Sequence, residues 1–97
     1  MIAKAYIVEF TKFAAKQIGR LPRQIQEAVF LWQHAVEQLG LPEVMKAKGY
    51  HDEPLKGQRR GQRSVRLNRS YRLIYTQADH GELVVVGIQE VNKHDYR

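Results

Sequence analysis

Six arginines and three lysines fall between positions 46 and 72, namely Lys46, Lys48, Lys56, Arg59, Arg60, Arg63, Arg66, Arg69 and Arg72, against only Asp52 and Glu53. That segment carries +7, while the rest of the chain, with seven basic and eight acidic residues, carries −1. A guanidinium fork meets phosphate oxygens two at a time, which a lysine ammonium cannot do. Such a density of cations concentrates polyanions and makes their binding strongly salt dependent. The terminal heptapeptide Val91-Asn92-Lys93-His94-Asp95-Tyr96-Arg97 adds two cations, an imidazole and a phenol. An unperturbed imidazole titrates near about pH 6.5, so His94 can pass a proton in either direction at cellular pH. Cations for a phosphate and a proton carrier nearby are the equipment for chemistry on a phosphodiester. Lys46, Lys48, Arg59, Arg60, Arg63, Arg69, Lys93 and Arg97 are then candidate nucleic-acid contacts.

Other chemistries find little support. The chain has no cysteine, which excludes a disulfide framework, a thiolate zinc site and a thiol nucleophile. His34, His51, His80 and His94 show no HxH or HxxxH spacing, so no metal is expected. No P-loop, GxGxxG or GxSxG occurs, and Gly57 and Gly61 bracket a basic loop without the lysine-serine ending of a triphosphate cradle. No cofactor is expected. The N-terminus lacks the apolar run of a signal peptide, and no stretch of about eighteen apolar residues could span a bilayer. A cytoplasmic protein that avoids membranes is the expectation. With 43% hydrophobic and 27% charged residues, the 97-residue chain reads as one folded domain, 1–97.

The elements that must hold these residues follow from periodicity. Residues 3–10 alternate as a first strand, and Thr11 is a plausible N-cap. Phe10, Phe13, Ala14, Ile18 and Leu21 then form a helical stripe, broken by Gly19 and Pro22. A second helix over 22–39 carries Ile25, Ala28, Val29, Trp32, Ala35, Val36 and Leu39 on one face, and Gly40 and Pro42 end it. Residues 40–58 read as loop, with one helical turn around 43–48. Strands are expected over 62–67, 71–77 and 82–90, joined by turns at Asn68-Arg69-Ser70 and Asp79-His80-Gly81. Leu83-Val84-Val85-Val86 is apolar at consecutive positions, as suits a central strand.

The expected fold is α+β: a four-stranded, mostly antiparallel sheet with an N-terminal two-helix hairpin on one face, in the order β-α-α-β-β-β. The first strand adds at an edge. If Tyr71, Leu73 and Tyr75 pack under the helices, Ser64, Arg66 and Arg72 lie on the open face of neighbouring strands. Two guanidinium groups so placed repel unless an anion sits between them, which is the signature of a phosphate site.

These residues resemble the RelE/ParE superfamily of type II toxin-antitoxin toxins, more narrowly its HigB-like and RelE-like branch. The resemblance rests on Glu53-Pro54-Leu55-Lys56-Gly57, then Gly61, then Arg66-Leu67-Asn68-Arg69-Ser70-Tyr71-Arg72-Leu73-Ile74-Tyr75, then the closing His94-Asp95-Tyr96. It implies a microbial RNase-like fold, cleavage of mRNA on the translating ribosome, and a cognate antitoxin that blocks the basic face. It also implies catalytic roles: Lys56 contacts RNA, Arg66 and Arg72 hold the scissile phosphate, and His94 and Tyr96 transfer protons. Two positions depart from the HigB pattern. Glu53 stands where a histidine often precedes the proline, and Arg97 stands in place of a final histidine. A carboxylate beside a phosphate is unhelpful, so Glu53 is expected to pair with a neighbouring arginine. Two other readings share parts of this pattern: a gyrase inhibitor of the same superfamily, and a non-catalytic nucleic-acid-binding module.

Overall fold

Thr11 separates the first two elements. In the computed structural model, which describes residues 4–93, strand β1 (Ala5–Phe10) ends there and helix α1 (Lys12–Gly19) begins. The Thr11 hydroxyl oxygen accepts the Ala14 N–H at 3.0 Å, satisfying one of the orphan donors of the first turn. Only Ala14 and Ile18 of α1 are buried, and Phe13 projects outward at 60% exposure, off the expected stripe. Helix α2 (Arg23–Leu39) buries Ile25, Val29, Trp32 and Val36 at the spacing the sequence suggested, but leaves Leu39 exposed. It stops at Gly40, whose φ of +86° and ψ of +147° only glycine adopts freely. A Cβ there would lie 3.1 Å from the Tyr6 ring.

The sheet has five strands in the order β1-β5-β4-β3-β2, and it is mixed. Strands β2 (Glu53–Pro54), β3 (Arg63–Arg66), β4 (Tyr71–His80) and β5 (Leu83–Lys93) pair antiparallel, while β1 runs parallel to β5. The α+β class and the edge position of β1 agree with expectation; the strand count and element order do not. The stretch expected as loop holds helix α3 (Leu41–Met45), two 3-10 turns (Lys48–Tyr50 and Gly57–Arg59) and the two-residue β2. Elements this short have no measurable period. The last hairpin also differs: its loop is Gly81 and Glu82 alone, with Gly81 at φ +81°, and Asp79 and His80 belong to β4. Strand β5 runs to Lys93, three residues past its expected end.

Helix α1 lies on β5 and α2 on β1, and between the two helices the Gln26 side chain donates to the Ile18 carbonyl at 2.7 Å. Beneath them Val65, Leu73, Tyr75, Val84, Val86, Ile88 and Val91 form the sheet side of the core. Trp32 of α2 is fully buried, its ring 5.0 Å from that of Tyr75. Ile88 and Val91 are three apart, yet both face inward. The register shifts between them, with Ile74 opposite Glu90 and Tyr75 opposite Ile88, so one extra residue in β5 resets the alternation. That bulge turns Glu90 and Asn92 to the uncovered face.

Candidate active site

Arg66 and Arg72 are cross-strand partners in the β3–β4 ladder, so their side chains leave the same face of the sheet. That face is the uncovered one, because Val65 and Leu73 beside them are fully buried under the helices. An open cleft of about 370 Å³ lies there, lined by both arginines with Ser64 and Ile74 of the sheet, Asn92 of β5, and His51, Glu53, Leu55 and Arg59 from the preceding segment. Arg66 is exposed, whereas Arg72 is only 7% accessible. The Arg72 Nε donates to the Ser64 hydroxyl, and its Nη2 donates to the backbone carbonyls of His51 at 3.2 Å and Ser64 at 3.4 Å. The Glu53 carboxylate stands 3.7 Å from the same nitrogen, the arginine pairing expected for it. A buried charge needs such partners to exist. They also hold the guanidinium in one orientation before any ligand arrives, which is what electrostatic preorganisation requires.

His51 was absent from the sequence-based site. Among the described residues it is the one non-glycine with a positive φ, 47° with ψ 49°. Such a conformation costs an L-residue about 1 kcal/mol. It closes the 3-10 turn before it, its N–H bonding the Lys48 carbonyl at 3.1 Å while its own carbonyl accepts from Arg72. Its Nε2 lies 3.7 Å from a Glu53 oxygen. The strained turn thus brings an imidazole and a carboxylate to the rim of the arginine cleft.

No protein-family model matches the chain, and no curated protein is significantly similar to it. Solved structures are similar over nearly its whole length. A YafQ structure from E. coli strain BL21(DE3) superposes with a TM-score of 0.72 at 16% identity, covering 90% of this chain and 91% of that one. A YoeB/ParE toxin from Agrobacterium tumefaciens gives 0.71 at 17% identity, over 92% and 99%. The RelBE2 toxin-antitoxin complex from Mycobacterium tuberculosis gives 0.66 at 26% identity, over 93% and 99%. The fold is that of the RelE/ParE-like toxins.

Within this fold the remaining predicted residues lie in different places. Arg59 lines the cleft and is ion-paired to Glu90, across the opening made by the β5 bulge. Lys46 and Lys48 line a second, adjoining cleft with His51, Asp52 and Glu53, and Lys46 also meets Glu43 at 3.0 Å. Lys56, Arg60, Arg69 and Lys93 are exposed and none lines the cleft; Lys56 stands at the start of the Gly57–Arg59 turn, and Lys93 is opposite Tyr71, on the helix-covered side of the sheet. Arg63 alternates with Arg66 and so belongs to the helix-covered side, opposite Tyr75. There its Nε donates to Asp52 at 2.6 Å, and the Tyr75 hydroxyl donates to the other Asp52 oxygen at 2.6 Å. The Asp52 side chain is 1% exposed and that of Arg63 25%, so the triad clamps a buried carboxylate while Arg63 keeps part of its side chain in solvent. Burial, then the bond to Asp52, pushes the Tyr75 phenol far above its ordinary value. His94, Tyr96 and Arg97 lie outside the described residues.

Proposed function

We propose that this protein is the toxin of a type II toxin-antitoxin pair and cleaves mRNA on the ribosome, using its own side chains and no metal. The observation that carries this reading is the pair Arg66 and Arg72, side by side on one face of a cleft that also presents groups able to accept a proton. In the proposed reaction the ribose 2′-hydroxyl loses its proton, its oxygen attacks the adjacent phosphorus, and the bond to the 5′ oxygen breaks. The products are a 2′,3′-cyclic phosphate and a 5′-hydroxyl. The two guanidinium groups stabilise the extra charge of the phosphorane, a contribution of about 3 to 4 kcal/mol for one well-placed donor. Lys56 positions the RNA backbone. His94 and Tyr96 share acid and base roles; they follow β5, whose Asn92 stands opposite Arg72. The exposed cations Lys46, Lys48, Arg60, Arg69, Lys93 and Arg97 hold flanking phosphates.

The fold alone admits a gyrase inhibitor as well. The retained Lys56, Arg66, Arg72, His94 and Tyr96 favour cleavage, because an inhibitor that breaks no RNA has no use for them. The RelBE2 structure is a toxin-antitoxin complex, and a cognate antitoxin covering the cationic face is the corresponding partner for this chain. Primer extension on mRNA from expressing cells tests the reading. Codon-linked breaks support it; stalled gyrase complexes, or neither effect, contradict it.

A further inference from the structure

We infer that Arg59 holds the phosphate next to the scissile one and that Glu90, with Gln62, is the positioning residue that fixes it there. The inference rests on the ribonuclease reading above in taking the cleft for an RNA site. Two guanidinium groups of the cleft are built alike. Arg72 gives its Nε to a side-chain oxygen, that of Ser64, and turns its Nη2 to a carboxylate, that of Glu53. Arg59 gives its Nε to the Gln62 side-chain oxygen at 2.9 Å, and its Nη2 is ion-paired to Glu90. In both, Nη1 bonds none of the described residues, and both arginines line the cleft. A planar fork held along one edge keeps its other edge in one direction for a ligand.

The sheet register sets the distance between the two forks. Arg66, Arg72 and Asn92 stand in one row across β3, β4 and β5, and Ser64, Ile74 and Glu90 stand in the next. Rows two residues apart along a strand are separated by about 7 Å. Arg59 comes from the Gly57–Arg59 turn and ends at Glu90, so its guanidinium lies about one row from the Arg66 and Arg72 pair. That step is the reach of one nucleotide along an extended RNA backbone. Glu90 itself is a carboxylate on an anion-binding face, its side chain 19% exposed, and bare it would repel RNA. Its use is to hold Arg59, whose side chain is 46% exposed and would otherwise spread over many rotamers. Ordering that side chain before RNA arrives removes a cost of binding.

Binding of a 2′-O-methylated single-stranded RNA, which the 2′-hydroxyl mechanism cannot cut, tests this as salt is varied, beside cleavage of ribosome-bound mRNA. Trp32 fluorescence verifies that each variant is folded. Arg59→Ala should bind about tenfold more weakly and lower the slope of log affinity against log salt by about 0.7, the share of one phosphate on a single strand. Glu90→Gln makes the cleft more positive, yet should weaken binding about threefold because the fork is no longer held. The double variant Arg59→Ala with Glu90→Gln has the net charge of wild type, and should stay at least about fivefold weaker with the lower slope. If Arg59 only neutralises Glu90, Glu90→Gln binds as tightly as wild type or tighter, and the double variant regains wild-type affinity and slope. Either result overturns the inference. Wild-type protein that binds RNA as described but leaves ribosome-bound mRNA uncut overturns the ribonuclease reading and leaves Arg59 its phosphate. Wild-type protein that cuts, with Arg59→Ala binding and cutting equally well, overturns the Arg59 assignment alone.

Discussion

At the residue scale, the two strand arginines have different occupations and should be separable by mutation. Arg66 is exposed, so Arg66→Ala should lower cleavage about 100-fold while changing stability by less than about 1 kcal/mol. Arg72→Ala strips the Ser64 hydroxyl and the His51 carbonyl of their donor, and should cost about 2 to 3 kcal/mol in addition to activity. Trp32, the sole tryptophan and fully buried, reports both unfolding transitions by fluorescence. Tyr75 provides a pH prediction. Its folded-state pKa lies above the unfolded value near 10, so its contribution is intact below about pH 10 and is lost as pH rises beyond it. Wild-type protein should lose unfolding midpoint steeply above that pH, and Tyr75→Phe less steeply. The arginine pair was legible in the sequence because period-two alternation fixes which residues share a face. His51 was not, because a single left-handed residue leaves no pattern, and neither was the bond of Arg63 to the buried Asp52, which is set by a segment eleven residues away.

At the element scale, the long periodic segments were readable and the short ones were not. Helix α2 spans nearly its expected range because four apolar residues at helical spacing define it. Strand β2 and helix α3 are tertiary products: β2 exists because β3 offers it an edge, and α3 because Gly40 lets the chain turn under Tyr6. Gly40→Ala should therefore destabilise by about 2 kcal/mol or more in denaturant titration, both from its φ and from the 3.1 Å approach to the Tyr6 ring. The bulge in β5 was equally hidden, since Ile88 and Val91 read as opposite faces until the shifted register makes them one. It matters to the site by turning Asn92 toward Arg72 and Glu90 toward Arg59.

At the scale of the whole molecule, the helices and core occupy one side of the sheet and the cleft with Arg59, Arg66 and Arg72 the other. The asymmetry of charge, +7 in residues 46–72 against −1 elsewhere, was already plain in the sequence, and the fold gathers three of its arginines, Arg59, Arg66 and Arg72, in one cleft. Binding to single-stranded RNA should accordingly weaken about 20-fold between 50 and 200 mM salt if about three phosphates are held. A helix-face contact would show little such dependence. The central claim is transesterification through the 2′-hydroxyl at the Arg66–Arg72 cleft, and the chemistry of the cut ends tests it most directly. Ribosome-bound mRNA treated with the wild-type protein should give upstream fragments ending in a 2′,3′-cyclic phosphate and downstream fragments beginning with a 5′-hydroxyl, both lost with Arg66→Ala. Fragments ending in a 3′-hydroxyl and beginning with a 5′-phosphate, or unchanged cleavage by Arg66→Ala, would contradict it.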